Sequence, residues 1–187
     1  MDLISKAFAK SYELHKDQFR KASGVPYFVH LLDSAKYLMY ETQDEEVICA
    51  GILHDTLEDT RYSDEELKAD FGERVYSLVK FCTEDGNRVD VSSEDMKKSW
   101  FERKSKSIEK LEGASNDELL VFCADKVATL LSIREDLING VDVWSSLNGS
   151  RDDFEWYYSE IFKAIEPKLN GHRIFNLYKD LLCIFKK

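Results

Sequence analysis

The chain has 187 residues, a formal net charge of −10 and a 43% hydrophobic fraction, enough for one domain burying roughly 70% of the surface its unfolded form exposes. The acidity argues against a general nucleic-acid or anionic-membrane binder, and no apolar run reaches the roughly 18 to 20 residues of a membrane span. Only 8 glycines and 2 prolines leave too few breaks for a many-stranded sandwich or barrel, so an all-α fold is expected.

Met1-Asp2-Leu3 does not open a signal peptide, and a soluble, cytoplasmic protein is expected. A small anionic ligand fits this charge where basic residues gather locally. Cys49, Cys82, Cys123 and Cys183 show no CxxC spacing and are expected as reduced, buried small hydrophobes.

Asp2 can cap a first helix, which Leu3, Ile4, Ala7, Phe8, Tyr12 and Leu14 carry to about Arg20. Gly24 and Pro26 break it, leaving Arg20 and Lys21 at a helix-loop junction from which cations can point into a cleft. A second helix spans about Tyr27 to Glu41 with His30 on the side shared with Ser34 and Leu38. The third runs from about Asp44 through His54, and its continuous apolar stretch from Val47 to Leu53 makes it a central, buried element. Continued as a helix, LHDTLEDT over Leu53 to Thr60 would place Glu58 beside His54 and Asp59 beside Asp55.

Ser63 and Glu66 read as a capping box for a helix to Phe71, and after Gly72 another helix runs from Glu73 to Thr83. The polar stretch 84–95 is a mid-domain loop and a candidate lid, with a strand hint only at Val89 to Val91. Met96 to Leu111 is helical and carries Lys97, Lys98, Arg103, Lys104 and Lys106, either a solvated face or an anion-facing wall. Ser115 and Glu118 cap a long apolar helix that ends at Gly140 and holds Asp125 in its middle. An aromatic-rich helix from Asp152 is expected to stop before Pro167, and a last one runs from His172 to Lys186. About nine helices in one bundle-like domain is the reading.

His54 and Asp55 arrive together beside Glu58 and Asp59, with His30 upstream. Holding four ionisable groups together is costly unless a cation neutralises the acids. Asp125, an acid inside a core helix, must be paired or metal-bound. His30, His54, Asp55 and Asp125 therefore form the candidate metal set. Two nitrogens and two carboxylates suit Mn, Fe or Zn better than Mg or Ca, and a six-coordinate ion leaves positions for water and a phosphate oxygen. Glu58 and Asp59 would position water or manage protons, so the expected reaction is metal-assisted phosphoester hydrolysis.

HDTLED, with its upstream His and downstream Asp, resembles the HD phosphohydrolase superfamily. The blocks AKSYELHKDQFRKASGVPYFVH at 9–30, ILHDTLEDT at 52–60, SDEELKADFGERVYSLV at 63–79, CTED at 82–85, WFERK at 100–104 and FCADKVATL at 122–130 are similar to the (p)ppGpp hydrolases. That family comprises the hydrolase domain of RelA/SpoT proteins and small stand-alone relatives. The resemblance implies a single HD-type domain over 1–187, without room for a synthetase domain. It also implies Mn²⁺ on His30, His54, Asp55 and Asp125, and Glu58 and Asp59 as the catalytic acid pair. Arg20 would contact the nucleotide, while Lys21, Arg103 and Lys104 would lie near phosphates. The implied reaction removes pyrophosphate from the ribose 3′ position, giving GDP or GTP. Two positions depart from the family pattern: Leu31 stands where Pro is usual, and Thr129 where an Asn helps hold the nucleotide. Thr129 opens an alternative substrate, another nucleotide, a 3′-phosphate or a phosphorylated dinucleotide such as NADPH.

Overall fold

The structure, a computed structural model, describes residues 2–84 and 93–186. Among them the fold is all-α: α1 (Leu3–His15), α2 (Phe28–Glu41), α3 (Glu45–Leu53), α4 (Thr56–Asp59), α5 (Asp64–Phe71), α6 (Glu73–Cys82), α7 (Ser93–Glu109), α8 (Asn116–Ile138), α9 (Arg151–Leu169) and α10 (Arg173–Leu181), with short 3₁₀ turns at Trp144–Ser146 and Leu182–Phe185. Of the loop expected over 84–95, residues 85–92, including the strand hint, lie outside the described residues, and the helix after it begins at Ser93 rather than Met96.

Local chemistry sets most helix starts. Asp2 accepts from the Ser5 amide, and Asp44 from those of Glu46 and Val47. Ser63 with Glu66, Ser115 with Glu118 and Ser150 with Asp153 are complete capping boxes, each satisfying two otherwise orphaned amides. Gly72, at φ 88°, separates α5 from α6 with a backbone conformation that side-chain-bearing residues rarely adopt.

Three expectations change. The first helix ends at His15, five residues early, and residues 18 to 27 turn back as a small hairpin. Pro167 lies inside α9 instead of ending it. It sits in the last turn, where its missing amide costs one bond; the ladder resumes with the Asn170 amide on the Glu166 carbonyl, and the fully buried Leu169 holds the end to the core. Cys49 and Cys123 are buried as expected, but Cys82 is half-buried and Cys183 exposed.

The site is positioned by the centre of the bundle. Helix α3 is buried from Val47 to Leu53 and packs on α1, α2, α6 and α8. Its approach to α2 is close enough that a Cβ on Gly51 would lie 2.1 Å from Leu38 Cδ1, so only glycine fits that crossing without a shift of Leu38. Long α8 lies against both α2 and α3. Three helices thus converge with His30 on α2, His54 and Asp55 just after α3, and Asp125 on α8.

Candidate metal centre and active site

The LHDTLEDT segment is not one helix. Its ladder stops after Leu53, His54 and Asp55 form a turn, and α4 starts at Thr56, with Asp55 at φ −96°, ψ −1°. Side chains take over the last carbonyls of α3. His54 Nδ1 lies 2.8 Å from the Gly51 carbonyl, and the Thr56 hydroxyl donates to the Leu53 carbonyl at 2.7 Å. This competition between side chain and backbone explains why the expected pairing of Glu58 with His54 and Asp59 with Asp55 along one helix does not describe the segment. The turn instead places the His54 ring and the Asp55 carboxylate together.

His30, His54 and Asp55 offer ligand-type atoms that all lie within 4.8 Å of one another. His30 Nε2 and His54 Nε2 are 3.2 Å apart, and Asp55 Oδ2 is 3.6 Å and 3.0 Å from them respectively. Asp125 Oδ1, outside that mutually close trio, lies 3.3 Å from His30 Nε2 and 3.5 Å from His54 Nε2. Its other oxygen takes the Lys126 ammonium at 2.6 Å, a pairing that adjacent helix residues do not guarantee. Both imidazoles are buried, while the two carboxylates keep 16% and 14% of their side-chain surface.

The donor set fits a divalent transition metal. With Nδ1 of His54 donating to the Gly51 carbonyl, the proton that the ring can give up is the one on Nε2, and its loss bares Nε2 toward His30 and both carboxylates, the tautomer a metal requires. Burial favours the neutral imidazole, but the Asp55 and Asp125 carboxylates outweigh it and raise the His54 pKa well above its ordinary value. Burial likewise works against the ionised carboxylates. His54 overcomes it at Asp55 and Lys126 at Asp125, so both stay well below the usual carboxylate range. The cluster is an anionic cage calling for positive charge between its nitrogens.

Glu58 and Asp59 are half-buried on α4, and Glu58 Oε2 accepts the Glu84 amide at 3.1 Å. Arg20 sits over the Tyr27 ring, its guanidinium carbon 5.6 Å from the centroid, whereas Lys21 is exposed at the hairpin turn. On α7, Lys98 and Lys106 are exposed, but Arg103 and Lys104 turn inward to Glu84 at 3.3 Å and 2.5 Å. The Thr129 hydroxyl faces Asp125 Oδ1 at 3.5 Å, long for a hydroxyl donor, so it lies near the cage without a strong bond to it.

Several residues in this environment are not evident from spacing alone. The Tyr27 hydroxyl donates to Asp55 Oδ2 at 2.5 Å, and burial together with the Asp55 charge pushes that phenol far above its ordinary pKa. Glu84 joins Glu58 to the two inward cations; burial opposes its ionisation, but Lys104 and its neighbours win and lower its pKa. The acids and bases of the CTED and WFERK blocks were visible, but nothing local indicated that they pair.

A family model described as an HD domain matches residues 7–153. The chain is 34% identical to a guanosine-3′,5′-bis(diphosphate) 3′-pyrophosphohydrolase MESH1 of Danio rerio, over 84% of each chain. It is 32% identical to a guanosine-3′,5′-bis(diphosphate) 3′-pyrophosphohydrolase of Aquifex aeolicus over 95% of its own length, and it spans only 23% of that longer protein. Among solved structures, a metazoan ortholog of SpoT superposes with a TM-score of 0.77 over 97% of this chain and 94% of that one; at 24% identity this likeness speaks to the fold.

Proposed function

This chain belongs to the HD-domain family, and on that premise we propose that it removes pyrophosphate from the ribose 3′ position of (p)ppGpp, water adding to the phosphorus as the bond to the 3′ oxygen breaks. GDP or GTP and pyrophosphate are the products. The observation that carries the reading is the convergence of His30, His54, Asp55 and Asp125 from three helices beside the Glu58–Asp59 pair. The names of relatives matched along most of the chain support the substrate.

In this reading His30, His54, Asp55 and Asp125 hold one divalent cation, Mn²⁺ in preference to Mg²⁺ because half of the donors are imidazole nitrogens. When bound, such an ion supplies Lewis acidity to water and to a phosphoryl oxygen. Glu58 and Asp59, on a rigid turn of helix directly after Asp55, orient the water and carry its proton. Lys104 and Arg103 meet the phosphates, and Arg20, backed by Tyr27, meets the nucleoside, with Lys21 at the entrance. The continuous core from Ala7 to Phe185 supports treating 1–187 as one HD domain. No helix among the described residues is long and apolar enough to cross a membrane, and we place the enzyme in the cytoplasm.

Thr129 motivates the second substrate reading, another nucleotide, a 3′-phosphate or a phosphorylated dinucleotide such as NADPH, since its short hydroxyl near Asp125 leaves more room than an asparagine amide. The test is a substrate panel of ppGpp, pppGpp, NADPH and 3′-phosphonucleotides with Mn²⁺. Release of pyrophosphate from ppGpp, abolished in Asp55→Ala, is the expected result; turnover of NADPH alone would replace the first reading by the second.

A further inference from the structure

The hairpin between α1 and α2 touches the site at two places. Its ends are tied by the Tyr27 amide on the Gln18 carbonyl at 2.9 Å, and its turn by the Arg20 amide on the Val25 carbonyl at 2.8 Å and the Gly24 amide on the Arg20 carbonyl at 2.9 Å. Gly24, at φ 71°, supplies the left-handed residue this tight reversal needs. From one end, the Tyr27 hydroxyl donates to Asp55 Oδ2, the same oxygen that lies 3.0 Å from His54 Nε2. From the other, Gln18 Nε2 donates to the Asp59 carbonyl at 2.8 Å.

His15 locks the two together. A carbonyl only accepts, so the Gln18 amide must turn its NH₂ to Asp59 and its oxygen to His15 Nδ1, 2.7 Å away, which makes Nδ1 the protonated nitrogen. The fully buried His15 ring also stacks on Tyr27, centroids 5.5 Å apart at 24°. Helix α4 is thereby held at both ends, since the Asp59 amide bonds back to the Asp55 carbonyl at 2.9 Å.

We propose that this hairpin is the positioning layer of the metal site: Tyr27 orients the Asp55 carboxylate, and Gln18, set by His15, anchors the helix turn that carries Asp55, Glu58 and Asp59. The inference rests on the metal role proposed for Asp55. It gives the Arg20 stretch a second purpose, because Arg20 lies on the Tyr27 ring whose hydroxyl holds Asp55. A carboxylate fixed by an outer hydrogen bond has fewer orientations to lose on coordination, and such partners are typically worth about 10- to 100-fold in affinity or activity.

The test is a calorimetric titration of the full chain with Mn²⁺ alone, on wild type, Tyr27→Phe and Gln18→Leu, with circular dichroism as the check on fold. Tyr27→Phe keeps the ring against His15 and Arg20 and loses only the hydroxyl. Its Kd should rise by roughly 10-fold or more, and that of Gln18→Leu by a smaller factor. Gln18→Glu, which keeps an oxygen for His15 and loses the donor to Asp59, should match Gln18→Leu and serves if that variant unfolds. Mn²⁺ binding in Tyr27→Phe within about twofold of wild type would overturn the proposal. No substrate enters the titration: a wild type that binds Mn²⁺ yet spares ppGpp removes the proposed reaction and leaves this inference standing, while a wild type that binds no divalent cation overturns both.

Discussion

The Nε2 atoms of His30 and His54 face each other at 3.2 Å in the buried centre of the bundle. Two bare lone pairs at that distance repel, so the contact needs a proton or a cation between the rings. Protonation and metal binding therefore compete for the same nitrogens. The Asp55 and Asp125 carboxylates raise the His54 pKa well above its ordinary value against the opposing effect of burial, so the metal-free ring holds its proton more tightly than a free imidazole. A cation taking Nε2 must displace that proton, so Mn²⁺ affinity should fall as the pH is lowered and protons should be released on binding near pH 7. Titrations in two buffers of different ionisation enthalpy measure this directly; identical heats in both would contradict it.

Gly51 ties the helix crossing to the same site. Its carbonyl orients the His54 ring, and an added Cβ would meet the buried side chain of Leu38. Gly51→Ala should destabilise the fold by about 1–3 kcal/mol through overpacking, lowering Tm by roughly 2–10 °C in a chain of this size. Thermal unfolding checks the first effect, and a Mn²⁺ titration of the variant, expected to be weaker, the second.

Lys104 is held by Glu84 at 2.5 Å with 17% of its side chain exposed. If it meets phosphate, Lys104→Met should raise KM about tenfold or more and leave kcat nearly unchanged, because the interaction serves ground and transition state alike. It should also cost about 1–3 kcal/mol of stability by depriving the half-buried Glu84 of a charged partner. Steady-state kinetics and denaturant unfolding read the two separately. An unchanged KM would return Lys104 to a structural role.

Asp70 clasps α5 to α1. The Tyr62 hydroxyl donates to it at 2.6 Å, and Lys6 and Lys10 lie at 3.1 Å and 3.3 Å. The Tyr62 bond, the largest influence, together with the two lysines outweighs the opposing effect of burial and lowers its pKa from 3.8 to about 2. A depressed carboxylate stabilises the fold fully above its unfolded pKa, and that contribution fades as pH falls through the folded one. Wild-type Tm should accordingly decline between pH 4 and 2 more steeply than that of Asp70→Asn. Parallel curves would assign acid lability elsewhere.

Much of this molecule is legible in the linear chain because the relevant physics is local. Caps such as Ser63 with Glu66 and Ser115 with Glu118 act over three residues. The apolar run before His54 marks α3 as central, and an acid stranded at Asp125 in a core helix announces a partner. The resemblance in the HDTLED and neighbouring blocks carries the expected chemistry. Where the local reading went astray, side chains competed with the backbone ladder: the Thr56 hydroxyl and His54 ring end α3 at the motif itself.

What only the tertiary structure decided is which groups meet. Tyr27 and Asp55 are 28 residues apart in the chain, and His30 and His54 are 24 apart. No periodicity encodes that Tyr27 would donate to Asp55, that Gln18 would reach the Asp59 carbonyl or that Glu84 would hold Lys104 and Arg103. By itself the sequence determined the helices, the donor types and the chemistry they suit, since those follow from residue identity and spacing along one element. The close approach of α2, α3 and α8 brought the donors within bonding distance, and long-range packing is the physical step that a list of residues leaves open.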